Sequence, residues 1–354
     1  MNKTNVFLLI IISAIFGAAV SYVVSVQLIQ VPQIAEGKSL DSANTTAIAT
    51  AACDDINVIR ESDFSLVKPL LLVNVGCESR ELAPLKNAVS SLIQSMKGEG
   101  SLSRAGVYFK ELNSVRWTTV NETELFYPGS LLKVALAINI LKLSESNPSL
   151  LDKKIVYDHR VDLKVTEAPK NPLIPGNEYT VRELIDAAIA DSNNDAVTLL
   201  FEVFDKKLYA DMFSEIGIPI PELTDTYYQF TATDFSKFFR ILYNATYLNH
   251  DNSEYCMNLL LRCNFKKGIS RDLPASVRVA HKFGERYTAD AKLTQFHEAG
   301  VVYAGGKPYV ISIMTEGLNH DQLMDCVARI SKLVYDLNSK NAGTMSQSRS
   351  QYNS

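Results

Sequence analysis

Three short stretches of this chain combine residue types suited to nucleophilic chemistry at a carbonyl. The first is Tyr127-Pro128-Gly129-Ser130-Leu131-Leu132-Lys133. Pro and Gly set up a helix start with the Ser130 hydroxyl in its first turn, near backbone amides that stabilise negative charge. Lys133 follows three residues later and shares a helix face with Ser130. From Leu131 to Leu141 the only polar residues are Lys133 and Asn139. A helix apolar on nearly all sides is buried, and burial depresses a lysine pKa, which makes Lys133 a candidate base for Ser130. A second Ser-x-x-Lys match, Ser65-Leu66-Val67-Lys68, runs into Pro69 without a helix context and is set aside.

The second stretch, Asp191-Ser192-Asn193-Asn194-Asp195, follows an apolar helix over Val181–Ala190 that Thr180 and Glu183 open as a capping box. Taken alone it reads as a polar turn capping the next helix. The third, His281-Lys282-Phe283-Gly284, ends a strand-like run over Val277–Phe283. Its lysine can hold an anionic group, and its glycine admits close approach of a substrate backbone. Taken alone it is a surface lysine ahead of a turn, with His281 a candidate modulator. Gly305-Gly306-Lys307-Pro308 lacks the earlier glycine and following Ser/Thr of a phosphate loop and reads as a hairpin turn.

In this order, Ser-x-x-Lys, Ser-x-Asn and Lys-x-Gly form the set found in class A β-lactamases and penicillin-binding proteins. The chain resembles that serine-hydrolase superfamily, class A enzymes most, and the stretch from Tyr179 to Ala196 looks like the family's helix leading into Ser-Asp-Asn. The resemblance spans about Leu82 to Leu337. It implies an α+β fold, an antiparallel five-stranded sheet flanked by helices with an inserted all-α subdomain. It also implies Ser130 as acylated nucleophile, Lys133 as its proton partner, Ser192 as proton relay, Asn194 on the substrate amide and Lys282 on its carboxylate. Phe283, Gly284 and Glu285 would line the substrate, and the Ser130 amide with one after Gly284 would form the oxyanion hole. The implied substrate is a β-lactam or a related cell-wall peptide.

Two positions depart from the pattern. Phe283 replaces the hydroxyl residue of Lys-Thr-Gly; Arg286 and Thr288 are candidate substitutes. The family's deacylation loop reads Glu-Pro-Glu-Leu-Asn, whereas this chain has Ile220-Pro221-Glu222-Leu223-Thr224. Ile220 thus stands where the deacylating glutamate belongs, leaving Glu222 or Asp225 as candidate water bases. Besides a lactamase, two further readings stay open: a penicillin-binding-protein-like D,D-peptidase, and a catalytically silent binding module.

The elements that must position these residues follow from pattern. Ala83–Met96, Ser130–Leu143, Thr180–Ala190, Ala196–Phe204, Thr233–Tyr243 and Asp321–Leu337 have helical spacing. Ala105–Leu112, Val115–Val120, Val277–Phe283, Gln295–Tyr303 and Tyr309–Thr315 read as strands. Strands at both ends with helices between predict one sheet made from both chain ends.

The chain has 354 residues, 35 Lys+Arg against 39 Asp+Glu, and 47% hydrophobic residues. That balance excludes a generally basic nucleic-acid binder and an acidic disordered protein. Val6–Ile29 is an uncharged, mostly apolar run, about 36 Å as a helix at roughly 1.5 Å per residue, enough to span a bilayer. Residues 1–5 then form a cytoplasmic tail, 6–29 a signal anchor, 30–62 a linker, 63–338 the hydrolase domain outside the cytoplasm, and 339–354 a disordered tail. In an oxidising compartment Cys53 and Cys77 can pair, while Cys256 and Cys263 are too far apart along a helix. The histidines show no metal-ligand spacing, and no metal or cofactor is expected.

Overall fold

The computed structural model describes residues 56–61, 66, 69–158, 171–219, 228–287 and 292–351. The proposed anchor, Cys53 and the Ile220–Asp225 stretch lie outside the described residues. Among those described, no helix is long and apolar enough to cross a membrane.

Among the described residues nine strands occur: β1 Ile56–Arg60, β2 Leu70–Val75, β3 Arg104–Glu111, β4 Trp117–Val120, β5 Lys154–Val156, β6 Glu178–Thr180, β7 Arg278–Tyr287, β8 Thr294–Tyr303 and β9 Tyr309–Gly317. Five form the central antiparallel sheet in the order β4-β3-β9-β8-β7. Chain start and chain end thus meet at the β3–β9 seam, as the distribution of strand patterns predicts. The helices are α1 Ala83–Gly98, α2 Lys133–Ser146, α3 Val181–Ala190, α4 Asn194–Leu200, α5 Lys206–Glu215, α6 Ala232–Tyr243, α7 His250–Leu261 and α8 His320–Gln351.

The sheet separates two cores. One face packs on α1 and α8, through Val89, Ile93, Phe296, Ile313, Val327 and Ile330. The other packs on the helices between β4 and β7, where α2 supplies Val134, Ile138 and Leu141. α2 is buried from Lys133 to Leu141, as its composition requires. Its second polar side chain, Asn139, exchanges two hydrogen bonds with the Asp205 backbone, at 2.9 and 3.2 Å.

Several boundaries differ from the sequence reading. Residues 56–60, assigned to the linker, form β1 and pair with β2; Ile56, Val58 and Ile59 are strand formers, but the run is short and mostly exposed. α8 continues past Leu337 into the segment assigned as a disordered tail, ending at Gln351. That segment has no proline, and its Lys, Ala, Met, Gln and Arg residues are good helix formers. α5 and the short β5–β6 pair were not apparent from periodicity. Cys77 is disulfide-bonded, whereas Cys256, Cys263 and Cys326 are free and buried.

The Thr180–Glu183 capping box predicted from sequence opens α3, with Glu183 N–H donating to Thr180 Oγ1 and Thr180 N–H to Glu183 Oε2. Thr180→Ala is expected to cost about 1 kcal/mol in urea denaturation, with the m-value unchanged.

Candidate active site

Ser130 lies in a 3-10 turn, Gly129–Leu132, which runs directly into α2 at Lys133. Residues three apart eclipse one another in such a turn, so Ser130 and Lys133 share a side. The turn is wedged against β7. Gly129 has φ +54°, and a Cβ there would sit 2.4 Å from Glu285 O and 2.9 Å from Glu285 N. A Cβ on Gly284 would sit 2.2 Å from Pro128 O. Both glycines are therefore required by contact, and this contact lays the Glu285 amide beside the Ser130 turn.

The Asp191–Asp195 stretch is both a cap and part of the site. Asn193 Oδ1 accepts from Ala196 N–H and caps α4, the role its sequence alone suggests for the whole turn. Its neighbours are left to face the lysines. Lys133 Nζ donates to Ser192 Oγ at 3.1 Å, to Asn194 Oδ1 at 2.7 Å and to the Ser192 carbonyl. Lys282 Nζ donates to the same Ser192 Oγ at 2.9 Å and to Phe283 O at 3.0 Å. Ser192 reaches this position with φ +56°, a left-handed conformation uncommon outside glycine.

Burial sets the protonation of this pair. Lys133 is 7% exposed and Lys282 is 0% exposed. Burial, aided by the charge of Lys282, holds Lys133 well below the usual lysine range. Burial also lowers Lys282, to about 8, against upward pulls from Cys263, Glu285 and Glu298. Burial thus shifts both lysines toward the neutral form, the state in which Lys133 can take a proton. Of the three oxygens that accept from Lys133 Nζ, only Ser192 Oγ carries a proton that it can return to a neutral Lys133.

Strand alternation decides the rest. Lys282, Gly284 and Arg286 face the Ser130 turn, and His281, Phe283 and Glu285 point to the opposite face. Phe283, expected to line the substrate, is buried and stacks on Phe265 at 4.4 Å. Glu285 sends its carboxylate to His320, 3.1 Å away at the start of α8, and offers the cleft its backbone. His281 pairs with Glu298, both fully buried, behind the strand. Arg286 lies over the Tyr127 ring, 3.9 Å from its centroid. Glu222 and Thr288 lie outside the described residues.

A polar network missed at the sequence level holds the approach to Ser130. Tyr127 N–H donates to Gln295 Oε1 at 2.9 Å. Gln295 in turn donates to Glu316, which Arg104 grips through Nε and Nη2 at 2.7 and 3.0 Å. Arg104 holds the Glu316 carboxyl below its ordinary range. Beside them His297 Nδ1 accepts from Thr315 N–H at 3.1 Å, so its Nε2 carries the proton and donates to Tyr127 O at 3.0 Å. Burial drives His297 down to about 3. The four side chains are scattered over three strands in no motif; only their inward register on β3, β8 and β9 marks them.

The fold and this arrangement define a serine hydrolase of the class A β-lactamase-like type. A family model for the beta-lactamase enzyme family matches residues 84–337, and the chain belongs to that family. A β-lactamase from Bacteroides uniformis is 24% identical over 294 residues, 73% of this chain and 92% of that protein. The crystal structure of a β-lactamase from Chitinophaga pinensis superposes with a TM-score of 0.62 at 21% identity, over 72% of this chain and 99% of that one. A mutant of PBP-A, solved as an acyl-enzyme complex with penicillin G, gives 0.60 at 20% identity, covering 72% and 97%.

Two outcomes test this geometry. Gly284→Ala must displace the Ser130 turn and is expected to slow acylation of Ser130 about tenfold or more, measured as adduct formation on folded protein. His297 stays neutral in the fold but protonates when unfolded near pH 6.5. The unfolded state then binds more protons, and His297 withdraws stability as pH falls from 6.5 toward 3. His297→Gln is expected to flatten that part of the Tm-versus-pH curve.

Proposed function

We propose that a β-lactam or related cell-wall peptide acylates Ser130. One observation carries this reading: a single hydroxyl, Ser192 Oγ, bonded to both Lys133 and Lys282 beside the turn that holds Ser130. Ser130 Oγ attacks the carbonyl carbon and its proton passes to Lys133. The amides of Ser130 and Glu285 receive the developing oxyanion. As the C–N bond breaks, the nitrogen takes the Ser192 proton, which Lys133 replaces. Asn194 holds the substrate amide, and Lys282 keeps the relay hydroxyl in a positive field that favours an anionic donor.

The penicillin-binding-like reading is favoured by Ile220 at the position of the family's deacylating glutamate. Its slower clearance of the acyl-enzyme separates it from a lactamase. The similarity to PBP-A, a mutant of which holds a penicillin G acyl-enzyme, is compatible with it. We further infer that Val6–Ile29 anchors the protein with its hydrolase domain outside the cytoplasm. The length of that apolar run supports this, as does the disulfide at Cys77, which suits an oxidising compartment.

Incubation with a labelled penicillin, followed by intact mass, tests the reading. An adduct on the wild type that is absent from Ser130→Ala is expected. Clearance within seconds identifies a lactamase, and an adduct lasting hours identifies the penicillin-binding-like behaviour. No adduct at all, under conditions that label a related enzyme, overturns acylation by β-lactams. In cells, the full chain is expected to stay with membranes through an alkaline wash, and deletion of residues 1–29 to release it.

A further inference from the structure

The departure at Phe283 has a physical counterpart in the site. Lys282 Nζ lies 4.0 Å from the centroid of the Phe283 ring. The ring is braced in an aromatic stack, with Phe265 at 4.4 Å and 28° and Phe296 at 6.3 Å and 22°. We propose that Phe283 is a positioning residue whose ring face holds the Lys282 ammonium against the Ser192 hydroxyl. The inference rests on the reading of Ser192 as the proton relay.

A fully buried ammonium needs a partner for each of its N–H groups. Lys282 has three N–H donors and is 0% exposed, so no water shell satisfies them. Two go to oxygens, Ser192 Oγ and Phe283 O. The negative face of an aromatic ring supplies the remaining attraction, which is strongest where water is excluded. A threonine hydroxyl at this position would offer a smaller, local dipole. Phe283 instead offers a broad surface, held in its stack with Phe265 and Phe296.

The other groups acting on Lys282 do not replace the ring. Cys263, Glu285 and Glu298 raise its affinity for a proton. Of these carboxylates, Glu285 is engaged with His320, and Glu298 with His281 and the Ile269 amide. The net result is a lysine lowered to about 8 yet still mainly charged at neutral pH. Losing the ring's contribution moves that balance toward the neutral amine, which keeps two N–H donors for Ser192 Oγ and Phe283 O but carries no charge into the site.

The test replaces Phe283 with fluorinated phenylalanines of increasing fluorine content, which keep the ring's shape and withdraw its face charge. Phe283→Leu serves as a second variant. Two readouts are taken: titration of Lys282 by NMR with isotope-labelled lysine, assigned with Lys282→Arg, and the pH dependence of penicillin acylation. The Lys282 midpoint is expected to fall in step with fluorination, by about one pH unit at full fluorination. The alkaline limb of acylation is expected to move down equally, because acylation needs the charged lysine. A purely structural ring would leave the midpoint unmoved across the fluorinated series, and that result overturns the proposal. If the midpoint moves but the wild type is never acylated, the inference stands and the β-lactam reading falls. If acylation occurs with the midpoint fixed, the inference falls and the reading stands.

Discussion

Two lysine side chains donate to one serine hydroxyl inside the protein, and most of the fold can be understood as what makes that arrangement tolerable. An isolated buried ammonium is costly, and two near each other cost more. The protein meets this with full sets of acceptors. Lys133 takes three oxygens from the Ser192–Asn194 turn; Lys282 takes two oxygens and an aromatic face. Satisfying them demands a backbone carbonyl and two side chains from a single turn, which is why Ser192 adopts φ +56°. The strain sits where the site needs it, and Asn193 secures the turn by capping α4.

The sheet supplies the precision. β7 and β8 present one face to the Ser130 turn and the other to the terminal helices, and the two faces have different jobs. Toward the turn, two glycine contacts and the bonds of Gln295 and His297 to Tyr127 set its position. Behind the strand, the Phe265–Phe283–Phe296 stack and the His281–Glu298 pair fill the space under Lys282. A shift of β7 by one residue would exchange these faces and dismantle both. The long antiparallel pairing of β7, β8 and β9 guards against that slip.

This division also explains how the chain departs from the Lys-Thr-Gly pattern and keeps its lysine in place. A bulky residue at the central position would block a cleft if it faced one. Here the alternation of the strand turns Phe283 into the second core, where its size is useful. The lowering of Lys133 then follows from burial and the charge of Lys282, and that of Lys282 from burial.

Much of this was legible in the chain itself. The all-apolar run after Ser130 implied a buried helix and a perturbed Lys133, and the Thr180–Glu183 box marked the helix leading to Ser192. Local chemistry is enough there, because caps and periodicity act within a few residues. The order of the three motifs identified the superfamily, and the strand patterns at both chain ends implied the shared sheet. What sequence could not show was direction and partnership across long separations. Whether the Phe283 and Glu285 side chains face the cleft depends on which side of β7 meets α2; the structure turns both away and leaves the Glu285 backbone beside the Ser130 turn. The Arg104–Glu316–Gln295–Tyr127 network and the neutral His297 arise from residues up to 212 positions apart, brought together by sheet register. Residue types and spacing thus determined the chemistry available, while the tertiary structure decided which side chains reach it, because burial, strand face and hydrogen-bond completion are set only by packing.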